Sequence, residues 1–437
     1  MEIQIKEALL RQESERDTLL SKQYILRETQ FFIESNVLEN SEIIKVISGP
    51  RRSGKSVYGI SILKNTNFIY MNFDDQGLIQ KNNHNTIYRF INLLYHNSKY
   101  IFLDEIQNLY QWEFFVSMLH RNGYNIILTG SNSKLLSKEL GSKLTGRYIE
   151  ERIFPFSFKE YLCVKLGIEY HEIIQLINNG MHNPYNKDLL KILILLNSYL
   201  EEGGYPIIVT TNIDYRNYLD TLFNSIIYED IIKRYSIKSG LLLSNLSKYL
   251  VSLFAKEYSY TKLRNILGFK NVNTVKSYVN YLEEAFLIFS LNRYSFKFKE
   301  QINSPKKVYI IDNGFISAFY IKSVDLESRL LENQVFLQLL RKNKIPNHTL
   351  FYYKTKYGKE VDFVIKDDHS NKVKQLIQVA YSIKDLDTKK REVNALEEAS
   401  EELRCNNCSI ITWDESTVLT GNINIECIPL WLFLLKI

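Results

Sequence analysis

Residues 49–56 read GPRRSGKS, two glycines five positions apart followed by a lysine and a serine. The order fits G-x-x-x-x-G-K-[ST], a loop that cradles a polyphosphate. Gly49, Pro50, Arg51, Arg52, Ser53, Gly54, Lys55, Ser56 and Val57 are therefore expected to line a nucleotide, with Gly49 and Gly54 permitting the tight turn. Lys55 would reach the β- and γ-phosphates, and the Ser56 hydroxyl would ligate Mg²⁺. Residues 100–108 read YIFLDEIQN, an apolar run ending in two carboxylates. Asp104 would hold Mg²⁺ through water, and Glu105 would orient and deprotonate an attacking water. The cofactors these residues call for are ATP and Mg²⁺.

Such groups work only if particular elements place them. IIKVIS before Gly49 is a β-branched run that predicts a buried parallel strand. SVYGISILK after Lys55 continues as a helix. A helix start behind the loop turns its N–H groups and dipole toward phosphate. YIFL predicts a second strand that carries Asp104 to the carboxyl edge of the sheet, where open α/β folds bind ligands. NIILTGSNSKLL predicts a third, ending in the small polar residues Thr129, Ser131 and Asn132. MNFDDQ, following the strand-like NFIY, places Asn72 at another strand end.

The ordered words GPRRSGKS, YIFLDEIQN, LTGSNSKLLS, LTGRYIEERIFPFSFKEYL and EEGGYP resemble one group of prokaryotic AAA+ ATPases, the archaeal-ATPase and STAND-related branch, over nearly the whole chain. The resemblance implies an ATPase core, a winged helix and a restriction-endonuclease-like C-terminal domain. It implies that Ser131 or Asn132 senses the γ-phosphate, and Asn132 is taken here as the catalytic choice. It implies that Arg147 acts as an arginine finger in a neighbouring subunit, a role worth about 10³–10⁵ in rate. A surface ion pair of Arg147 with Glu150 or Glu151 is the alternative. Asn72 would restrain Glu105, or else simply begin a loop.

Residues 161–240 carry periodic leucines and isoleucines, expected to form a helical lid, with Gly203, Gly204 and Pro206 marking a sharp turn. YEDIIKRY within it reads as an amphipathic helix. Residues 241–320 read as three short helices and a β-hairpin. Gly268 stops the second helix, Asn273 or Thr274 caps the third, and Val275, Val279 and Leu282 form its buried stripe. Lys270, Lys276, Arg293, Lys297, Lys299, Lys306 and Lys307 would fall on the third helix and wing, facing either DNA phosphates or a protein partner.

Residues 325–437 offer a second set of carboxylates, Glu332, Glu360 and Asp362. Metal-dependent nucleases of the resembled type follow these with Glu-x-Lys, but the matching positions hold Gln378 and Ala380. Gln is a weak metal ligand and Ala carries no charge. The nuclease site is therefore expected to be degenerate. Lys374 and Lys384 stand off the matching spacing. CNNC, residues 405–408, finds only Cys427 as an obvious third zinc ligand and reads as reduced cysteines.

With 437 residues the chain is too long for one core. Its net charge of +6 permits a nucleic-acid partner without demanding one. The polar N-terminal segment and short apolar runs lead to the expectation of a cytoplasmic, soluble protein with no membrane partner. The expected fold is α/β: a P-loop NTPase (AAA+) parallel sheet with a helical lid, then a winged helix and an α/β restriction-endonuclease-like domain. Its parts are 1–160, 161–240, 241–320 and 325–437. The function this predicts is an ATPase that couples Mg-ATP hydrolysis to conformational change in the later modules, with double-stranded DNA and a second copy of the chain, in a homo-oligomer, as candidate partners. The alternatives are a metal-dependent DNA nuclease and a non-hydrolysing, ATP-liganded DNA-binding regulator.

Overall fold

The computed structural model describes residues 2–29, 31–79, 84–131, 146–175, 187–319, 326–370 and 372–436. Asn132 and the stretch preceding Arg147 lie outside them. The chain divides into two compact units, residues 1–155 with 284–286, and residues 156–283 with 287–437.

The first unit is built on five strands: β1 (Ile44–Ser48), β2 (Phe68–Asn72), β3 (Tyr100–Asp104), β4 (Asn125–Gly130) and β5 (Tyr148–Arg152). All pair in parallel, in the order β2-β3-β4-β1-β5. The two-residue period of a strand explains why the runs are apolar throughout. Ile101 and Leu103 of β3 pack into one core with Ile126 and Leu128 of β4. Phe102 and Ile127, between them in sequence, pack into another with Ile47, Phe68 and Tyr58. The helix Glu2–Leu20 buries Ile5, Ala8 and Leu9, the spacing of one helical stripe. From it Gln12 exchanges hydrogen bonds with the backbone of Asn72, and Arg16 donates to the Phe68 carbonyl.

The second unit contains two sheets. The smaller joins β6 (Glu257–Tyr258), β7 (Ile288–Asn292) and β8 (Lys306–Ile310), antiparallel, in the order β6-β8-β7. The helices Gly240–Ser252, Tyr260–Leu267 and Val272–Glu284 accompany it. Gly268 ends the second of these in a left-handed conformation, as the sequence predicts. Val275, Val279 and Leu282 form the buried stripe of the third. Its cap falls two residues earlier than Asn273: Asn271 Oδ1, not Asn273 or Thr274, accepts from the N–H of Asn273, the second helical residue, at 2.8 Å. YEDIIKRY is helical, but as part of the π-helix Ile226–Lys233, with Glu229 paired to Lys233.

The larger sheet joins β9 (Leu350–Lys354), β10 (Glu360–Lys366), β11 (Val373–Val379), β12 (Cys408–Thr412), β13 (Thr417–Thr420) and β14 (Asn424–Pro429), in the order β13-β14-β12-β11-β10-β9. β11, β12 and β14 run parallel and the outer pairs antiparallel. Cys405, Cys408 and Cys427 are buried in its apolar core, where burial pushes the Cys408 thiol up to about 12 and the Cys427 thiol to about 11. The family words PFSF and GGYP meet in this unit: Phe156 N donates to Gly204 O at 2.6 Å, and Asp312 accepts from Gly204 N at 2.7 Å and Gly314 N at 2.9 Å. Among the described residues no helix is long and apolar enough to cross a membrane.

Candidate nucleotide site

β1 ends at Ser48 and the helix Lys55–Ile62 begins six residues after Gly49, so the loop between them is short and closed. Gly49 (φ 147°) and Gly54 (φ 93°) both occupy the left-handed region. A Cβ on Gly49 would stand 2.1 Å from the Ile153 carbonyl oxygen. The loop is also fastened from behind. Arg27 donates from Nη1 to the Ser53 carbonyl at 2.9 Å and from Nη2 to the Phe154 carbonyl at 2.5 Å. Nothing in the local sequence marks Arg27, because its partners lie 26 and 127 residues away.

Lys55 is 4% exposed. Its Nζ donates to the Pro50 carbonyl at 3.1 Å and lies 3.7 Å from Glu105 Oε1. The Ser53 hydroxyl is buried with no hydrogen-bond partner among the described residues. An orphaned buried hydroxyl is rare and calls for a ligand, water or strain to explain it. A turn that admits no Cβ, an ammonium held by one carbonyl and an unpaired hydroxyl together fit a polyphosphate.

Asp104, at the carboxyl end of β3, is 2% exposed. Thr129 donates to its Oδ1 and Tyr70 to its Oδ2 at 3.1 Å, and the nearby Ser56 hydroxyl favours its charged form. Burial, with the neighbouring charge of Glu105, lifts the Asp104 carboxyl to about 6. A buried carboxylate beside a serine hydroxyl is a hard oxygen donor pair of the kind Mg²⁺ takes, one carboxylate with the remaining places left to water and phosphate.

Glu105 has a left-handed backbone (φ 50°). Its N–H donates to Thr129 Oγ1 at 2.9 Å, so one threonine positions both acidic residues. Gln107 Nε2 donates to Glu105 Oε2 at 2.5 Å. Asn72, expected either to restrain Glu105 or to begin a loop, stands level with Asp104 in the sheet. Its Oδ1 instead accepts from Asp74 N at 2.9 Å, the arrangement of a residue that starts a loop. Ser131 is buried at the end of the same region, and Asn132 lies outside the described residues.

Arg147 is exposed, and its carbonyl accepts from Ile44 N at 2.8 Å. Among the described residues its guanidinium has no carboxylate partner. Glu150 accepts from Ser48 at the loop and from Arg152, while Glu151 accepts from Thr29 and from Tyr58 at 2.7 Å. Both carboxylates offered as surface partners for Arg147 are thus engaged elsewhere.

The second constellation, in the C-terminal unit, does assemble. Glu332, Glu360 and Asp362 converge, but on Lys307 Nζ, at 2.8, 2.7 and 2.9 Å. Lys307 is 1% exposed, which corrects its expected place among phosphate-facing wing lysines. KK at the start of β8 must send one side chain to each face, and Lys307 is the inward one. Burial opposes its charge, and Asp362 and Glu332 outweigh that, holding its ammonium well above the usual range. Gln378 bridges Asp362 N, at 3.2 Å, and Glu392. Lys374 pairs with Asp367 instead.

A parallel sheet of five strands, a glycine loop between β1 and its helix, and an acidic pair at the end of β3 define a P-loop NTPase. Residues 41–162 match the family model of an AAA domain, and residues 194–326 and 327–433 match two domains of unknown function, DUF8612 and DUF4143. The chain is 36% identical over 426 residues to an uncharacterized protein of Methanocaldococcus jannaschii, covering 91% of this chain and 89% of the relative. It is 30% identical to one of Haemophilus influenzae, covering 79% and 85%. A solved structure, the Walker-type ATPase of Pyrococcus abyssi, superposes with a TM-score of 0.42 at 15% identity, covering 69% of this chain and 100% of that one. The chain belongs to the family of the Methanocaldococcus protein, as a member with an N-terminal AAA-type ATPase domain.

Proposed function

We propose that the chain hydrolyses ATP with Mg²⁺ and uses the cycle to change the state of its C-terminal unit. The observation that carries this is the convergence of Lys55, Ser56, Asp104 and Glu105 on the mouth of one glycine loop. Lys55 neutralises the phosphates, Ser56 and Asp104 hold Mg²⁺, and Glu105 orients and deprotonates water. Mg²⁺ supplies the charge that steadies the leaving phosphates. The chain supplies the rest, a dry loop fixed by Arg27 and an acidic pair fixed by Thr129.

Within the C-terminal unit, the succession of helix, β6, two helices, β7 and β8 supports a winged helix-turn-helix. Lys270, Lys276, Lys297 and Lys299 are exposed there and suit DNA phosphates, whereas Lys307 does not. The internal ammonium of Lys307 among Glu332, Glu360 and Asp362 favours a structural cluster over a nuclease centre. Arg147, exposed and free of a described carboxylate, suits a finger reaching a second copy of the chain.

Calorimetric titration with ATP tests the site. Binding should tighten with Mg²⁺ in the natural chain and lose that dependence in Ser56→Ala. Equal affinity with and without Mg²⁺ in the natural chain would remove the metal from the account.

A further inference from the structure

The connection between β7 and β8 reads RYSFKFKEQINSP, residues 293–305, with two phenylalanines and two lysines in strict alternation. Phe296 is 78% exposed and Phe298 74%. Burying one such ring is worth about 1.5–3 kcal/mol. Buried Tyr294 stacks edge-on against Phe351 of β9, and Phe296 meets the outer side of the same tyrosine at 5.4 Å.

The tip is built rather than slack. Ser295 Oγ donates to Glu300 at 2.7 Å and accepts from Lys297 N at 3.1 Å, and its carbonyl accepts from Gln301 Nε2 at 2.7 Å. The short helix Phe298–Asn303 follows from that turn. A rigid turn that holds two rings in water is presenting them. Lys297 and Lys299 lie beside them, both exposed, and Lys270 and Lys276 are exposed in the same unit. Glu300, paired with Lys297, is the one acidic residue in the connection.

We propose that this tip is a wedge for DNA whose bases are unstacked, as at a fork or single-stranded junction. Phe296 and Phe298 stack on the open base faces, and Lys297 and Lys299 hold the flanking phosphates. Every base has a π-face, so such stacking is tolerant of sequence, and lysines place the rings without reading bases. The combination of cations with aromatics favours nucleic acid over an apolar protein surface, which Lys297 and Lys299 would not complement. The inference rests on the proposal that this region contacts DNA.

The experiment uses the full chain, a forked duplex with 2-aminopurine at the junction, and a fully paired duplex of the same sequence. The natural chain should bind the fork more tightly and change the 2-aminopurine fluorescence. Phe296→Ser with Phe298→Ser should weaken fork binding about 10- to 100-fold and abolish the fluorescence change. Its melting temperature and ATP turnover should stay unchanged. Lys297→Gln with Lys299→Gln should weaken both DNAs and lower the salt dependence. Unaltered fork binding by the phenylalanine variant overturns the wedge while leaving DNA contact standing. Failure of the natural chain to bind either DNA overturns both. Loss of self-association in the phenylalanine variant, with DNA binding intact, assigns the tip to a second copy of the chain and overturns the wedge.

Discussion

Gln107 donates to the Glu105 carboxylate at 2.5 Å, and Lys55 stands 3.7 Å from the carboxylate's other oxygen. The proposed general base is therefore held from both sides before any water reaches it. An amide donor on that carboxylate takes a lone pair that the base needs. Gln107→Ala should raise basal ATP turnover about two- to tenfold, whereas Asn72→Ala should leave it within twofold. Phosphate release by the two variants, compared side by side, decides which side chain is the brake. A rise in Asn72→Ala alone would return the role to the strand end.

Gly49 leaves no room for a side chain. Gly49→Ala would set a methyl group 2.1 Å from the Ile153 carbonyl oxygen, at a backbone angle that side chains rarely adopt. ATP affinity should fall by more than about tenfold, with a lower melting temperature from the strained loop. Titration with ATP and a thermal melt check both. Unchanged affinity would show that the loop does not fit phosphate as described.

The buried carboxyl of Asp104 titrates at about 6, above the ordinary aspartate value, because burial and Glu105 oppose its charge. The sign follows. Below pH 6 the nucleotide-free protein holds a proton there, and Mg²⁺ must displace it. The Mg²⁺-dependent gain in ATP affinity should shrink as pH falls from 7 to 5, approaching about tenfold per unit at the acid end. Asp104→Asn should show little gain at any pH. A gain independent of pH in the natural chain would mean that Asp104 is not a metal group.

Lys307 compensates three carboxylates in the C-terminal unit. Removing one partner of a buried ionic cluster costs about 3–5 kcal/mol, since the remaining charges stay unpaired. Lys307→Met should lose about that much stability by denaturant titration at pH 8. Glu332 already sits at about 8, raised by burial and by Asp362 despite the ammonium. Without the ammonium the carboxylates bind protons more tightly in the folded state, so the loss should narrow as pH falls toward 5. A loss that is small at every pH would sink the cluster as a source of stability.

The nucleotide loop was legible because its meaning is local. Residues 49–56 carry both the turn chemistry and the functional groups, and an apolar run before each acidic or polar end sets where β1, β3 and β4 stop. Arg27 and Gln107 were not legible. Arg27 acts on carbonyls far along the chain, and Gln107 depends on the left-handed turn at Glu105, which no residue type announces. Lys307 was misplaced because alternation says that neighbours in a strand face opposite ways without saying which faces in. Its partners, from a helix and from β10, decide the matter only in three dimensions. Asn271 was missed as a cap because NVNT offers three polar residues within four positions and only the backbone picks one.

Steady-state phosphate release from Mg-ATP, measured on the natural chain and on Glu105→Gln with ATP binding followed in parallel, tests the central claim most directly. The account predicts that Glu105→Gln binds ATP as tightly as the natural chain and turns it over about 10²–10⁴-fold more slowly. Turnover at the natural rate in Glu105→Gln, or no turnover in the natural chain itself, would contradict it.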